Sequence, residues 1–477
     1  MQTPIMPGGA VNATSLRGAA PDDRVRVLDD RPPRPRPGGQ YVLYWMVAAR
    51  RTRHSFGLQH ATAWAKHLGR PLLVLEPLRV GYRWAADRHH VFVLQGMAAQ
   101  AQRLARRGVR YLPYVEPEPG AGQGLLKALA ERAAVVVTDD SPMFFLPRML
   151  AAAARSVECR LEAVDGNGLV PVAAPDRSFS RAHSFRAYLQ RTLATHLEHV
   201  PVPDPLSRYA GGQARVSRDV LGRWRMVTPA VLSDPVALAA SLPIDHEPAA
   251  VPWIGGEAEG AARLQRFMAE GLSRYATERN HPDHDAGSGL SPYLHFGHVG
   301  THQVLHALAK RDGWTPASLG PPQGGSREGF WGTSVEAESF LDELVTWREL
   351  GFNLCARDAQ YDQFESLPAW ALATMAAHED DPRPQLYDLE TLERAQTDDP
   401  LWNAAQRQLL AEGRIHNYLR MLWGKKIYQW SPSGREALAR MEHLNNRWSV
   451  DGRDPNSYSG ITWVLGRFDR AWGPRRP

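Results

Sequence analysis

The sequence predicts an α/β amino-terminal domain, built on a parallel, Rossmann-like sheet, followed by a larger all-α carboxy-terminal domain. Three observations predict it. Five short apolar runs alternate with amphipathic segments between Gln40 and Pro171, the rhythm of a parallel sheet covered on both faces. From Gly256 onward strand-like alternation disappears and helical periodicity takes over. Eleven of the 15 tryptophans lie after Pro252, which marks the helical half as the place for aromatic chemistry.

Residues 1–38 are rich in Pro, Gly, Arg and Asp and end in DDRPPRPRPGG. Such a stretch cannot bury enough apolar surface to order itself, so a disordered tail is expected. The α/β domain spans 39–172. Its expected strands are QYVLYWM, PLLVLEPL, RYLPYVE, AVVVTDD and the start of RLEAVDGNGLVP. Its expected helices run through HATAWAKHLG, VFVLQGMAAQAQRLARRG, GLLKALAERA and PRMLAAAARS. Ligands on such sheets sit at the carboxyl ends of the strands, yet no GxGxxG follows the first strand, which argues against a dinucleotide on a glycine turn in this domain. Residues 173–255, with PVPDPLSRYAGGQARVSRD, read as an inter-domain linker. Residues 256–477 form the helical domain, with AARLQRFMAEGLSRYATER, VGTHQVLHALAK and AESFLDELVTWRELGFNLC as its first helices. Within it, Gly320–Gly332 (GPPQGGSREGFWG) reads as an inserted loop.

The net charge is +5, and it is unevenly placed: from Leu401 to the end there are 13 Lys and Arg against 6 Asp and Glu. This basic end suits a polyanionic partner, or is a solvated face. Cys159 and Cys355 stand far apart with no CxxC, which argues against a disulfide framework or zinc ribbon and fits a reducing compartment. No apolar run approaches the ~20 residues of a membrane span, and no signal-peptide core is present. A cytoplasmic protein without a membrane partner, monomeric by default, is expected.

Four stretches carry candidate chemistry. The basic end holds Trp402, Trp423, Trp430, Trp448 and Trp463; Trp423 and Trp430 are seven residues apart, on nearly one helix face roughly 10 Å apart. Rings so placed pass an electron or fill a core. AGSGLSPYLHFG offers Ser288, Gly289 and Ser291 before a helix, suited to a phosphate or simply to helix entry. In WREL, Glu349 lies among apolar positions near Trp347 and Phe352, where burial raises a carboxyl pKa unless an Arg pairs with it. VDGRDPNSYSG places Asp451, Asp454 and Asn456 in a turn, with three readings: calcium-type oxygen ligands, although the spacing is not an EF-hand loop, polar cofactor contacts, and Asx turns. His298 and His302 at i, i+4, with His281 and His284, show no HExxH pattern; helix-surface histidines and no metal are expected.

Taken together, these stretches resemble the class II cyclobutane pyrimidine dimer (CPD) photolyases of the photolyase/cryptochrome family, over about Tyr41 to Trp472. The resemblance is densest in RN (279–280), SGLSPYLHFG (288–297), FLDELVTWRELGFNLC (340–355), YDQFESLPAW (361–370), DPLWNA (399–404), YLRMLWGKKI (418–427) and DGRDPNSYSGITW (451–463). It implies an antenna-type α/β domain, a linker and a helical domain that binds FAD and DNA. Tyr275 and Gly287, Ser288, Gly289, Leu290 and Ser291 would hold the FAD phosphates and ribityl chain. Asn445 would face flavin N5, Arg420 and Asp451 would pair beside the ring, and Asp454 would add a polar contact. Glu349 and Asn280 would hydrogen-bond the dimer bases, with Arg279 on the substrate side. Met421 and Trp463 would line the pocket for the flipped dimer, and Arg470 would hold opened DNA. Trp423, Trp402 and Trp430 would form the electron path, with Trp423 nearest the flavin.

The implied activity is light-driven repair of UV-damaged DNA, in which reduced FAD gives an electron to the dimer; a deazaflavin or folate antenna is a further implied cofactor. The rival reading is a cryptochrome-like photoreceptor, and another is a non-catalytic DNA-binding protein with structural tryptophans. Three features depart from the family pattern: SFG at 55–57 where an Asn-aromatic-Ala pattern is usual, an end soon after DRAWG, and the 320–332 loop.

Overall fold

The computed structural model describes residues 16–28 and 35–471. Its sheet contains β1 (Val25–Val27), β2 (Tyr41–Trp45), β3 (Leu72–Leu78), β4 (Arg110–Val115), β5 (Ala133–Asp140) and β6 (Arg160–Asp165), in the order β1-β6-β5-β2-β3-β4. Strands β2 to β6 are parallel and β1 is an antiparallel edge. Helices α1 (Phe56–Leu68), α2 (Asp87–Arg106), α3 (Leu125–Ala130) and α4 (Leu146–Ser156) connect them. Every residue of β2 is buried, as a strand covered on both faces requires.

The strand order reverses between β2 and its two neighbours, β3 and β5, so the switch point lies at the carboxyl ends of these strands. There the backbone N–H groups of Val47, Ala48 and Ala49 all donate to Asp139 Oδ2, at 2.9, 2.8 and 2.9 Å, while the Tyr44 hydroxyl donates to Oδ1 at 2.6 Å. The N–H groups that a glycine turn would aim at a phosphate are engaged by a carboxylate of the chain itself. The SFG departure belongs to this arrangement. Ser55 caps α1, accepting the Leu58 N–H at 3.2 Å, and a Cβ on Gly57 would lie 2.9 Å from the Tyr44 hydroxyl oxygen.

The expected disordered tail is corrected in part. Residues 1–15 and 29–34 lie outside the described residues, but Asp22–Arg24 form a 3-10 turn and Val25–Val27 pair with β6. Polar anchors order this segment, which is why composition missed it. Buried Arg24 donates to the carbonyls of Asp165, Gly168 and Leu169, and Arg26 grips the Asp140 carboxylate at 3.0 and 2.9 Å.

The linker expected at 173–255 is also corrected. Helix α5 (Ala182–His196) carries Phe185, Leu189 and Leu193 on one face and buries them in the helical-domain core with Leu341, Leu344 and Leu354. Beyond it, Trp224 joins the core around β3 and β4, and Leu232, Ala239 and Leu242 pack with residues of α2. The 320–332 loop is likewise no loose insertion. Phe330 and Trp331 are buried, the Trp314 indole donates to the Trp331 carbonyl at 2.6 Å, and Glu338 accepts the N–H groups of Gly329 and Trp331.

The expected surface histidines are corrected as well: His298 and His302 are buried, His298 between Phe92 and Phe296 and His302 edge-on to Phe56. Among the described residues no helix is long and apolar enough to cross a membrane.

Candidate active site

Three sequence segments converge on one ion pair. Arg420, in the Asn417–Gln429 helix, meets Asp451 at 3.4 Å, and the Ser449 hydroxyl donates to the same Asp451 oxygen at 2.8 Å. The Ser291 hydroxyl also bonds Asp451. Burial pushes the Asp451 carboxyl up, but Arg420 and the two hydroxyls outweigh it and hold the carboxyl below its usual range. Ser291 opens a short helix after the Gly287–Leu290 turn. That turn is shaped by Gly289 at φ +64° and braced by Arg263, which donates to the carbonyls of Ser288 at 2.8 Å and Gly287 at 3.3 Å. Nothing lies within 4 Å of a Cβ built on Gly287, so the turn presents an open face. Asn445 is buried and donates to Asn446 Oδ1 at 3.1 Å, which also takes the Arg453 N–H at 2.8 Å, and Asn446 Nδ2 is buried without a partner.

From the same helix, Trp423 begins an aromatic ladder. Trp402 stacks on Trp423 with centroids 6.3 Å apart and planes 2° apart. Trp430 meets Trp402 edge-on at 5.5 Å and 77°. Trp402 thus stands between the two rings that one helix face carries. The indole N–H of Trp423 donates to Gln406 at 2.9 Å and that of Trp402 to the Trp423 carbonyl at 3.1 Å, so both rings are fixed. Trp448, in contrast, donates to Glu393 at 2.5 Å and belongs to the core.

The substrate side looks different from its sequence reading. Glu349 is buried and both carboxylate oxygens are taken, by the N–H groups of Leu169 at 2.7 Å and Val170 at 3.1 Å. It clamps the two domains together and cannot reach a base. Burial pushes its carboxyl up to about 7, against the pull of those two N–H groups and of Arg348. Asp342–Trp347 is a π-helical segment, and the extra residue turns everything after it by roughly 100° relative to a continuous α-helix.

The partly exposed carboxylate of this segment is Glu343, which pairs with Arg279 at 2.5 Å and is about a third exposed. Arg279 lies over the Tyr275 ring, 5.5 Å from its centroid, and burial pushes the Tyr275 hydroxyl up to about 12. Four residues after Glu343, Trp347 stacks on Trp463 at 4.8 Å and 25°. Sequence reasoning named Trp463 but not its partner, nor Glu343; their i, i+4 spacing in DELVTW was the available signal. Met421 is half-buried beside Arg420, Asn280 and Arg470 are exposed, and Asp454 caps the Pro455–Val464 helix while meeting His295 at 3.3 Å. A Cβ on Gly424 would lie 2.9 Å from Val464, so the Arg420 helix and the Trp463 helix pack closely.

A cleft opens where the carboxyl ends of β2, β3 and β5 meet the helical domain. It encloses about 1170 Å³ of empty space, part of it open to solvent. Tyr82, Phe144, Phe145 and Arg453 are among its lining residues, with Arg79 over Phe145 and Arg453 over Tyr82.

Comparison with known proteins decides what these features belong to. A deoxyribodipyrimidine photo-lyase of Methanothermobacter thermautotrophicus is 32% identical over 454 residues, covering 95% of this chain and 92% of the relative. The chain belongs to the DNA photolyase family. Photolyase relatives of the same description from Potorous tridactylus and Oryza sativa subsp. japonica are each 31% identical, covering 91% and 95% of this chain and 76% and 85% of those proteins. A family model described as DNA photolyase matches residues 42–205. The photolyase fold extends over the whole: a class III photolyase from Agrobacterium tumefaciens superposes with a TM-score of 0.64 at 18% identity, covering 91% of this chain and 81% of that one.

Proposed function

We propose that this photolyase is of the class II type and splits cyclobutane pyrimidine dimers in UV-damaged DNA, using light and reduced FAD. One observation carries the reading. A single turn of the Asn417–Gln429 helix holds Arg420, Met421 and Trp423, with the indole ladder leading away on one side and the Trp463 helix packed on the other.

The donor set fits FAD. The open Gly287–Gly289 turn with Ser288, Leu290 and Ser291 suits the pyrophosphate and ribityl hydroxyls, and Tyr275, packed on Phe267 and Phe340, is proposed as a further cofactor contact. Arg420 and Asp451 suit the polar edge of the ring system, and Asn445 suits N5, with the unpartnered Asn446 amide behind it. Bound in its reduced form, FAD supplies on illumination the electron that opens the cyclobutane ring. The chain does the rest. A dimer inside a duplex is unreachable and is extruded, at less cost than an intact base pair. Trp347 and Trp463 offer a stacked apolar wall to it, Met421 a soft contact, and Glu343 accepts a base N–H while Arg279 and Asn280 donate to base oxygens. Arg470 and the basic end bind phosphates without reading sequence. Trp402 and Trp430 connect Trp423 outward and serve reduction of the flavin.

The interdomain cleft, with its aromatic rings and arginines, supports a planar anionic antenna of the deazaflavin or folate class. A photoreceptor would use the same flavin and tryptophans, but the Trp347–Trp463 wall and Glu343 favour repair, because signalling needs no dimer pocket. The test is repair of a thymine-dimer oligonucleotide under blue light and in darkness. Product only in the light is expected, and equal product in both overturns the proposal.

A further inference from the structure

We infer that the buried Arg186–Asp342 pair, held by the Gly320–Gly332 loop, is the brace that positions Glu343 and Trp347 for the dimer. The inference rests on the proposed substrate. Asp342 opens the π-helical segment. A π turn has poorer hydrogen bonding than an α turn and persists where its surroundings over-determine it. Here the surroundings are specific. Arg186 of α5 grips Asp342 with two bonds, at 2.6 and 2.9 Å, and both side chains are less than a tenth exposed.

The loop locks this grip in place. Arg186 donates a third bond to the Gly325 carbonyl at 3.0 Å. One turn along α5, Gln190 accepts the N–H groups of Gln323 and Gly325 at 3.0 and 2.9 Å and donates to the Ser326 carbonyl at 2.9 Å. Gly325 sits at φ +94°, and a Cβ there would meet the His183 carbonyl at 2.5 Å, so only glycine lets the loop lie this close to α5. Asp342 is the neighbour of Glu343 and lies five residues before Trp347. Fixing its side chain from α5 fixes the rotation of the π segment, and with it the direction of the Glu343 carboxylate and the tilt of the Trp347 ring. A planar two-pronged guanidinium does this where an ammonium would not.

The experiment is a double-mutant cycle with Arg186→Lys, Glu343→Gln and the pair of them, beside wild type. Three quantities are read: dark affinity for a thymine-dimer oligonucleotide, repair yield of the pre-reduced protein, and photoreduction of bound FAD. Arg186→Lys is expected to lower affinity and repair by about tenfold or more, as small misplacements at reacting centres do, and to leave photoreduction unchanged. In the Glu343→Gln background it is expected to cost little further. Wild-type repair by Arg186→Lys, or losses that multiply in the double variant, overturns the brace. Should Arg186→Lys not fold, Gln190→Ala takes its place in the cycle, since it frees the loop without stranding a buried charge, and the same outcomes decide. A wild type that repairs nothing sinks the substrate reading, and the brace with it; a wild type that repairs beside variants that repair equally well sinks the brace alone.

Discussion

Two carboxylates six residues apart have opposite occupations. Glu343 faces Arg279 beside the stacked tryptophans, while Glu349 is buried and holds two backbone N–H groups of the other domain. Glu343→Gln is therefore expected to lower dimer repair about tenfold or more with little change in stability. Glu349→Ala is expected to do the reverse: it strands the Leu169 and Val170 N–H groups at a cost of about 1–3 kcal/mol, visible in urea unfolding, while repair per folded molecule is kept. The resemblance made the segment legible and put the base contact on Glu349, six residues beyond Glu343; the long-range bonds from Leu169 and Val170 that occupy Glu349 leave no local mark in the sequence. The proposed electron path was more legible. Trp402, Trp423 and Trp430 were readable as a set, although the stacking of Trp402 between the others depends on a contact 21 residues away in sequence. Trp423→Phe is expected to abolish photoreduction of oxidised FAD, read as unchanged flavin absorbance under illumination, while pre-reduced protein still repairs.

At the scale of elements, the strands that sequence reading located are those whose burial is apolar and continuous. β2 and β5 lie in the middle of the sheet and read as unbroken hydrophobic runs. β1 and the ordered 320–332 loop escaped notice because arginines, a glutamine and a glycine anchor them through long-range hydrogen bonds, which leave no local period. α5 hid for another reason: its Phe185, Leu189 and Leu193 stripe is short and is followed directly by the Pro- and Gly-rich stretch from Pro201, so the whole region read as linker. The contact between the Arg420 and Trp463 helices is a further element-level feature. Gly424→Val would press on Val464, at 2.9 Å, and on Met441, at 3.2 Å from the built Cβ. Overpacking there is expected to lower stability by about 1–3 kcal/mol, read as a lower Tm, and to depress repair by displacing Trp463.

Across the whole molecule, the two domains are joined by polar clamps. Arg88 of α2 donates to the Leu409, Leu410 and Trp448 carbonyls, Thr52 meets Glu257, and Glu349 closes on Leu169 and Val170. Two carboxylates, buried Glu349 and half-buried Glu393, make opposed contributions to the pH response of this assembly. Glu349 stands at about 7 against an ordinary 4.5, so the folded state holds a proton that the unfolded chain has released; its contribution falls as pH rises from about 4.5 to about 7 and is flat above. Burial pushes Glu393 up too, but His443, Trp448 and Arg447 outweigh it and bring it to about 2. Its contribution is full above 4.5 and is lost as pH falls toward 2. Urea midpoints are expected to fall less steeply between pH 4.5 and 7 in Glu349→Gln than in wild type, with the acid limb unchanged; Glu442, which burial pushes up to about 8, contributes to the fall in both.

The tryptophan ladder has a geometry with an optical signature. Between Trp423 and Trp402 the ring planes differ by 2°, and between Trp402 and Trp430 by 77°. On the proposed electron path, an oxidised ring formed at Trp423 and handed to Trp402 keeps the orientation of its plane, whereas the next hand-over tips that plane almost upright. On an oriented sample, absorption polarised along the shared normal of the Trp423 and Trp402 rings is expected to stay dark through the first hop and to gain signal at the second. The outermost step of the proposed path is thus marked by direction rather than by colour.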